Sequence, residues 1–218
     1  MPDRLVDVSL IPVAASRART MVTEDEIDAT LAKAHTALAE WQVPEAFIKK
    51  VETLDGLLES ALLFNKSNMN FVLDAMVLAE FVKLRPVRQV RLAGPKEERP
   101  DGFVGSPRAS TPIEITEVME PGRRRGDEYR RKNQNREPQA DGPADWRARA
   151  EQIPAAMEVA IKKKIAKKYE PKPLLLIYLN INTFGLMQQE TEAAIASHKK
   201  QYADSFQEIF VLRKGALY

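Results

Sequence analysis

The spacing of apolar and polar residues predicts helices in the first third of the chain. Between residues 23 and 41, apolar side chains recur every three or four positions, which is the repeat of one helix face. Thr23 can cap the first turn of this helix. A second apolar stripe starts at Pro44 and breaks near residues 65–70, and a third runs over residues 70–84. The chain therefore begins with three amphipathic helices.

The pattern changes from a helical repeat to a strand repeat at Pro86. Proline has no amide hydrogen to continue a helix, and the residues that follow it alternate between apolar and polar. The remaining apolar patterns predict strands over residues 87–92, 101–105, 111–119, 174–179 and 208–212, and helices over 145–169 and 189–202. This order predicts an α/β or α+β fold with a mixed central sheet flanked by helices.

The predicted elements divide the chain into two regions. Residues 1–70 form an N-terminal helical region that we expect to pack on the core, and residues 71–218 form the core itself. Within the core, residues 121–143 contain almost no apolar residue and several glycines, prolines and arginines. This composition indicates a long solvated loop.

The composition excludes several classes of site. The 218-residue chain has no cysteine and only two histidines, so disulfides, thiolate zinc sites and cysteine nucleophiles are excluded, and any metal must be held mainly by oxygen. No apolar run approaches the roughly 20 residues of a membrane helix. Because no apolar segment follows Met1, we expect a cytoplasmic protein without a membrane partner.

Two acidic residues are predicted to meet at neighbouring strands. The two-residue repeat of residues 111–119 places Glu114 and Thr116 on one face, and Asp101 stands at the start of the preceding strand. Carboxylates at adjacent strand ends can converge on a hard divalent cation and leave positions for water and a phosphate oxygen. Mg²⁺ or Mn²⁺ is therefore the cofactor that the pattern favours.

A family resemblance rests on these acids and on the order of the elements. The segment Arg99-Pro100-Asp101-Gly102, followed by Ile113-Glu114-Ile115-Thr116-Glu117, resembles the PD-(D/E)xK nuclease superfamily, including the literal Pro-Asp pair. The resemblance covers roughly residues 72–212. It implies a restriction-endonuclease-like core and a metal-dependent nuclease that hydrolyses the phosphodiester bonds of DNA.

The resemblance also implies roles for individual residues. Asp101 and Glu114 would be catalytic metal ligands, and the backbone carbonyl of Ile115 would be a further ligand. Glu80, on the helix before the first strand, matches an acid that many members of the superfamily place there. The alternative for Glu80 is an ordinary solvated position.

Thr116 stands where the superfamily has a lysine. Either another residue supplies that charge, or the protein has lost hydrolysis and only binds. The apolar face of helix 145–169 contains Lys164 and Lys168, and a lysine seldom lies in a buried stripe without a partner. Lys164 is the first candidate substitute and Lys168 the second. The alternative is that both stems pack while the ammonium groups reach solvent.

The solvated loop supplies candidate nucleic-acid contacts. Its positive side chains could contact several phosphates: Arg123, Arg124, Arg125, Arg130, Arg131, Lys132 and Arg136. Two other functions stay open, a catalytically inactive nuclease fold that binds nucleic acid or a protein partner, and a small regulatory or phage-type interaction protein that assembles through its helical front. The oligomeric state is open as well, with a homodimer among the alternatives.

Overall fold

The sheet is the centre of the fold. The computed structural model describes residues 24–57, 70–122 and 142–218, and over these residues the chain forms a mixed α/β structure built on one six-stranded sheet. The strands are β1 (Gln89–Leu92), β2 (Gly102–Ser106), β3 (Ala109–Val118), β4 (Leu174–Leu179), β5 (Glu208–Arg213) and β6 (Ala216–Leu217).

Five α-helices in the described residues pack on this sheet. They are α1 (Glu24–Leu38), α2 (Pro44–Leu57), α3 (Asn70–Leu84), α4 (Pro143–Ile165) and α5 (Gln188–Gln201). None of these described helices combines the length and the apolar character needed to cross a membrane.

The strands lie side by side in their order along the chain. β1, β2 and β3 form an antiparallel meander, β3, β4 and β5 are parallel, and β6 returns antiparallel to β5. Parallel neighbours need a crossover, which α4 supplies between β3 and β4 and α5 supplies between β4 and β5. All carboxyl ends of the three parallel strands therefore meet at one edge of the sheet.

Alternate residues of the strands build two separate hydrophobic clusters. Ile113, Ile115 and Leu176 face α1, α2 and α3, whereas Leu175 and Ile177 face α4 and α5. The two clusters follow directly from the two-residue repeat of a strand covered on both faces. Glu114 lies beside Leu175 in the sheet register and so faces α4.

The first two helices share the core of α3 and the sheet. Phe47 of α2 and Leu38 of α1 are fully buried in the same cluster as Phe81 of α3. Between α1 and α2, Gln42 exchanges two backbone hydrogen bonds with Val90 of β1, at 3.2 and 2.9 Å. This contact pairs the outer edge of β1, and the predicted division of the chain at residue 70 stays a prediction.

Each predicted helix and strand is present where the structure describes it, although several of the bounds differ. α3 and β4 have the predicted bounds, and the predicted alternation of faces in β3 is correct. The helix predicted to reach residue 169 instead ends at Ile165. β6 was not predicted, because two residues are too few to show a repeat. Residues 58–69, where the second helix was predicted to end, and most of the predicted solvated loop lie outside the described residues.

Pro154 removes one backbone hydrogen bond from the middle of α4. It lies on the exposed surface in the middle of α4, where it cannot donate to the carbonyl of Ala150. We expect Pro154→Ala to raise the free energy of unfolding by about 1–3 kcal/mol in urea denaturation. Val159→Ala, also exposed on α4, is the control and should change it by less than about 0.5 kcal/mol. Equal effects of the two changes would contradict this assignment.

Candidate active site

Two carboxylates share one lysine ammonium in the structure. The Nζ atom of Lys164 lies 2.7 Å from Oε2 of Glu114 and 3.1 Å from Oδ2 of Asp101. Glu114 is fully buried, and the side chains of Lys164 and Asp101 are 10% and 25% exposed. Three residues that are far apart in the sequence, and that the sequence singled out as a catalytic set, therefore form one cluster.

The start of β2 brings Asp101 to β3. β2 begins at Gly102, which pairs with Ile113, so β3 continues beyond the end of its neighbour. The backbone N–H of Ile115 is left free by β2 at this point, and it donates to Oδ2 of Asp101 at 2.6 Å. Asp101 thus takes the place of a strand partner and is fixed beside Glu114.

Lys164 reaches the site from the last turn of α4. Ile161 and Met157, one and two turns earlier, are fully buried on the same face, so the stem of Lys164 is held against the sheet. Its ammonium group points to the two carboxylates rather than to solvent. The alternative in which Lys164 only extends to the surface is therefore wrong.

Lys168 does not lie on this buried face. α4 ends at Ile165, and Lys168 has a left-handed backbone with φ of 52° and an exposed side chain. The prediction that Lys168 belongs to the buried stripe is wrong, because it assumed a helix that continues to residue 169. The turn instead returns Tyr169 to the site.

Two residues after α4 contact Glu114. The hydroxyl of Tyr169 donates to Oε2 of Glu114 at 2.6 Å, and Nζ of Lys167 lies 3.6 Å from the same oxygen. The other carboxylate oxygen of Glu114, Oε1, is buried and has no hydrogen-bond partner. Glu114 thus offers one unoccupied acceptor in an otherwise filled environment.

Asp74 is a third acid at the site, and the sequence did not indicate it. Leu78, one turn later on the same face of α3, packs so closely on Gly102 that a Cβ there would lie 3.0 Å from its Cδ2 atom. This contact brings the first half of α3 to the start of β2. Burial, reinforced by the charges of Asp101 and Glu114, raises the pKa of Asp74 to about 7.

Glu80 is not brought to the cluster. Its side chain is 46% exposed and accepts a bond of 2.7 Å from Lys83, which also lies 3.5 Å from Glu52 of α2. Six residues separate Glu80 from Asp74, which places the two side chains about 120° apart on the helix surface. The solvated alternative for Glu80 is correct, and Asp74 is the acid that α3 supplies.

The charges of the cluster compensate one another only in part. Burial lowers the pKa of Lys164, but Asp101 and Glu114 outweigh it and the net shift is upward. Burial raises the pKa of Asp101; Lys164 opposes this shift and Glu114 adds to it. Burial and the bond to Glu114 raise the pKa of Tyr169, which keeps its hydroxyl as a donor. The cluster of Asp74, Asp101 and Glu114 therefore favours an additional positive charge, such as a bound proton.

The donor set fits a hard divalent cation. Asp101 and Glu114 supply carboxylate oxygens, and Oε1 of Glu114 lacks a partner. In an extended strand the N–H and C=O of one residue point to the same side, so the carbonyl of Ile115 faces the side on which its N–H meets Asp101. In the described ranges no three acidic or histidine side chains form a ready-made metal cluster. Because the ammonium of Lys164 contacts both carboxylates, a cation could bind to Asp101 and Glu114 together only if Lys164 shifted.

Other predicted residues have different outcomes. Thr116 lies on the same strand face as Glu114 and carries no positive charge. The positive group beside Glu114 is the ammonium of Lys164. The predicted phosphate contacts of Arg124, Arg125, Arg130, Arg131 and Lys132, together with Arg123 and Arg136, fall outside the described residues and stay predictions.

Sequence reasoning missed Asp74 and Tyr169. The available signal for Asp74 was an acid within the otherwise apolar stretch 71–79 of α3, because such a residue needs a partner when it is packed. No periodic signal marks Tyr169, since it follows the end of α4.

Comparison of the chain with protein-family models, with curated proteins and with solved structures gave no match.

Asp74 should make the stability of the protein depend on pH. An acid whose pKa is higher in the folded than in the unfolded chain destabilises the fold as it ionises. We expect the free energy of unfolding to fall as pH rises from about 4 to about 7, with an upper limit of about 4 kcal/mol from Asp74. Urea unfolding at pH 5 and pH 8 should show a smaller fall for Asp74→Asn. An identical fall in both proteins would show that Asp74 does not carry this effect.

Lys164 should be needed for the stability of the folded chain. Lys164→Met leaves Glu114 buried without its closest cation, so we expect a loss of about 3–5 kcal/mol in unfolding free energy. The neighbouring exposed Lys163→Met is the matched control and should change it by less than about 0.5 kcal/mol. Adding Glu114→Gln to Lys164→Met should restore part of the loss. If Lys164→Met and Lys163→Met were equally mild, the ion-pair assignment would be wrong.

Proposed function

We propose that the protein is a divalent-metal-dependent nuclease that hydrolyses phosphodiester bonds of DNA. The observation that carries this proposal is the shared contact of Asp101 and Glu114 with Lys164. Two carboxylates and one lysine at neighbouring strand ends are a donor set suited to a hard cation, a water and a phosphate group. Mg²⁺ or Mn²⁺ is the proposed cofactor.

The fold supports the proposal through its topology. An antiparallel meander that ends in a strand carrying the second acid, followed by a helix and a parallel strand, is the arrangement expected of a restriction-endonuclease-like core. We therefore propose that residues 71–218 form such a core and that Lys164 replaces the lysine absent at Thr116.

Each side chain has a role that its position allows. Asp101, Glu114 and the carbonyl of Ile115 would hold the cation, which when bound supplies Lewis-acid activation of water and of the phosphate. Lys164, once shifted from one carboxylate, would orient the attacking water or bind a phosphate oxygen. Tyr169 donates to Oε2 of Glu114 and so leaves Oε1 available.

Positive side chains surround the described mouth of the site. Lys167 is 30% exposed, Lys163 and Lys168 are exposed, and Arg99 contacts the carbonyl of Lys167 at 3.4 Å. These groups could bind the backbone phosphates on both sides of the scissile bond. The side chains Arg123, Arg124, Arg125, Arg130, Arg131 and Lys132 would extend this contact.

Cleavage assays with matched variants test the proposal. Supercoiled plasmid and short duplexes are incubated with the protein in Mg²⁺ or Mn²⁺, and product formation is measured. We expect cleavage that EDTA abolishes and that Asp101→Asn and Glu114→Gln reduce about 100-fold or more. Glu80→Gln is the control and should keep full activity, because Glu80 lies outside the cluster. Absence of cleavage by the unaltered protein, or equal activity in all variants, would contradict the proposal.

One observation favours a second candidate function. The ammonium of Lys164 already contacts both carboxylates, which is how a nuclease fold without a metal would stabilise its acids. Such a protein would bind nucleic acid without cutting it. Calorimetry separates the two: the nuclease shows Mn²⁺ binding that Glu114→Gln removes, whereas the silent binder shows salt-sensitive DNA binding and no Mn²⁺ heat.

A further inference from the structure

An aromatic pair lies at the carboxyl edge of the parallel strands, away from the acidic cluster. The rings of Trp146 and Phe184 are 4.4 Å apart between centroids and 32° apart in plane. Phe184 is 64% exposed, which makes it one of the most exposed large apolar side chains in the described residues. Trp146 in the first turns of α4 supports its ring from one side and leaves the remainder open to solvent.

The loop that presents Phe184 has an unusual backbone. Phe184, Gly185 and Met187 all have positive φ, at 47°, 86° and 54°. An aromatic residue in this region is strained, and such strain persists only where the surroundings fix it. Here the side chain of Asn182 accepts the N–H of Phe184 at 3.0 Å. The loop therefore holds Phe184 outward in a defined position.

A buried positive charge lies beneath this loop. Arg213, at the end of β5, is 1% exposed and donates to Oγ1 of Thr183 at 3.1 Å and to Oε1 of Gln188 at 2.5 Å. Both acceptors are neutral, the Nε atom has no partner, and none of the described carboxylates forms an ion pair with it. Gln188 in turn donates to Glu192 at 2.5 Å, so the nearest acid is one hydrogen bond removed from the guanidinium. A buried guanidinium that contacts no carboxylate directly is energetically unfavourable, and an anion bound nearby would reduce that cost.

The charge of Arg213 affects the pKa of an exposed neighbour. Partial burial, and next the charge of Arg213, lower the pKa of the exposed neighbour Lys214. Arg147 is exposed directly after Trp146. Two positive residues, Arg147 and Lys214, therefore adjoin this edge in the chain, together with the exposed acid Asp145 before Trp146. Aromatic rings combined with positive side chains occur in surfaces that bind single-stranded nucleic acid through stacked bases and backbone phosphates.

We propose that Trp146 and Phe184 form a stacking platform for an unpaired base of a single-stranded nucleic-acid segment. Arg147 and Lys214 are the groups available to its phosphates, with Arg213 contributing a fixed positive field. This inference rests on the proposed function and extends it to the class of substrate, a strand that is unpaired on one side of the cleavage site.

The position of the platform sets the length of strand that the protein contacts. Eighteen residues of α4 separate Trp146 from Lys164, which corresponds to about 27 Å at 1.5 Å per residue. This distance spans roughly eight nucleotide steps at the 3.4 Å rise of a duplex strand, and fewer for an extended strand. A twelve-nucleotide oligothymidine is therefore long enough to occupy both places.

Tryptophan fluorescence tests the platform directly. Trp41→Phe removes the only other tryptophan, whose ring lies by Phe103 and Arg91, so that Trp146 becomes the single reporter. Oligothymidine is titrated into this protein with EDTA present, which prevents cleavage. We expect quenching of the Trp146 emission, and Phe184→Ala should weaken binding about 5- to 150-fold, the range that loss of one stacked base produces.

Three further variants separate stacking from other causes. Phe184→Tyr keeps the ring and should bind as the parent does, whereas Phe184→Leu keeps apolar volume without the ring and should bind as weakly as Phe184→Ala. Val159→Ala, also exposed and apolar, should change nothing. Circular dichroism verifies that each variant is folded.

The outcomes distinguish this inference from the nuclease proposal. Glu114→Gln should lose cleavage but keep oligothymidine quenching. If cleavage is present but quenching is absent, or if Phe184→Ala binds as tightly as the parent, the platform is refuted while the nuclease stands. If a protein partner changes the Trp146 emission and oligothymidine does not, the platform is refuted as well. Quenching that depends on the ring of Phe184 supports the platform even if no cleavage occurs.

Discussion

The contact between the Lys164 ammonium and the carboxylate of Glu114 governs the arrangement of the site. Glu114 is fully buried in the third strand of the sheet, where an isolated ionised acid would be strongly unfavourable. The fold supplies compensation from several elements at once: the last turn of α4 provides Lys164, and the turn after it provides Lys167 and Tyr169. The position of α4 on the sheet and the charge of the strand are therefore coupled.

The two ends of α4 have different charged and aromatic surroundings. At the C-terminal end, acids from α3, β2 and β3 outnumber the lysines that contact them, which favours binding of a further cation. At the N-terminal end, an aromatic pair lies near a buried guanidinium whose hydrogen-bond partners are neutral side chains. Under the proposed function, a nucleic-acid strand would place a phosphate at the first end and an unpaired base at the second.

Much of the fold followed from local patterns in the sequence. The apolar repeats predicted α3 and β4 at their observed bounds, because both elements are covered by the core and their spacing reflects it. The grouping of Asp101, Glu114 and Lys164 was also predictable. Asp101 precedes a strand, Glu114 lies in the middle of one, and a lysine in an apolar helix stripe needs an acidic partner.

The rest of the site depends on tertiary contacts that leave no periodic signal. Asp74 approaches Asp101 because Leu78 packs on a residue without a side chain, Gly102. Tyr169 reaches Glu114 because α4 ends four residues earlier, with a left-handed residue at Lys168. Glu80 was proposed from the family resemblance and Lys168 from a helix extended to residue 169, and both side chains lie at the surface instead.

Anomalous diffraction from a crystal soaked in Mn²⁺ tests the central claim most directly. A peak at roughly 2.0–2.6 Å from carboxylate oxygens of both Asp101 and Glu114, with the Lys164 ammonium displaced from at least one of them, is the predicted result. An empty cluster at saturating Mn²⁺, with Lys164 still contacting both acids, would contradict it.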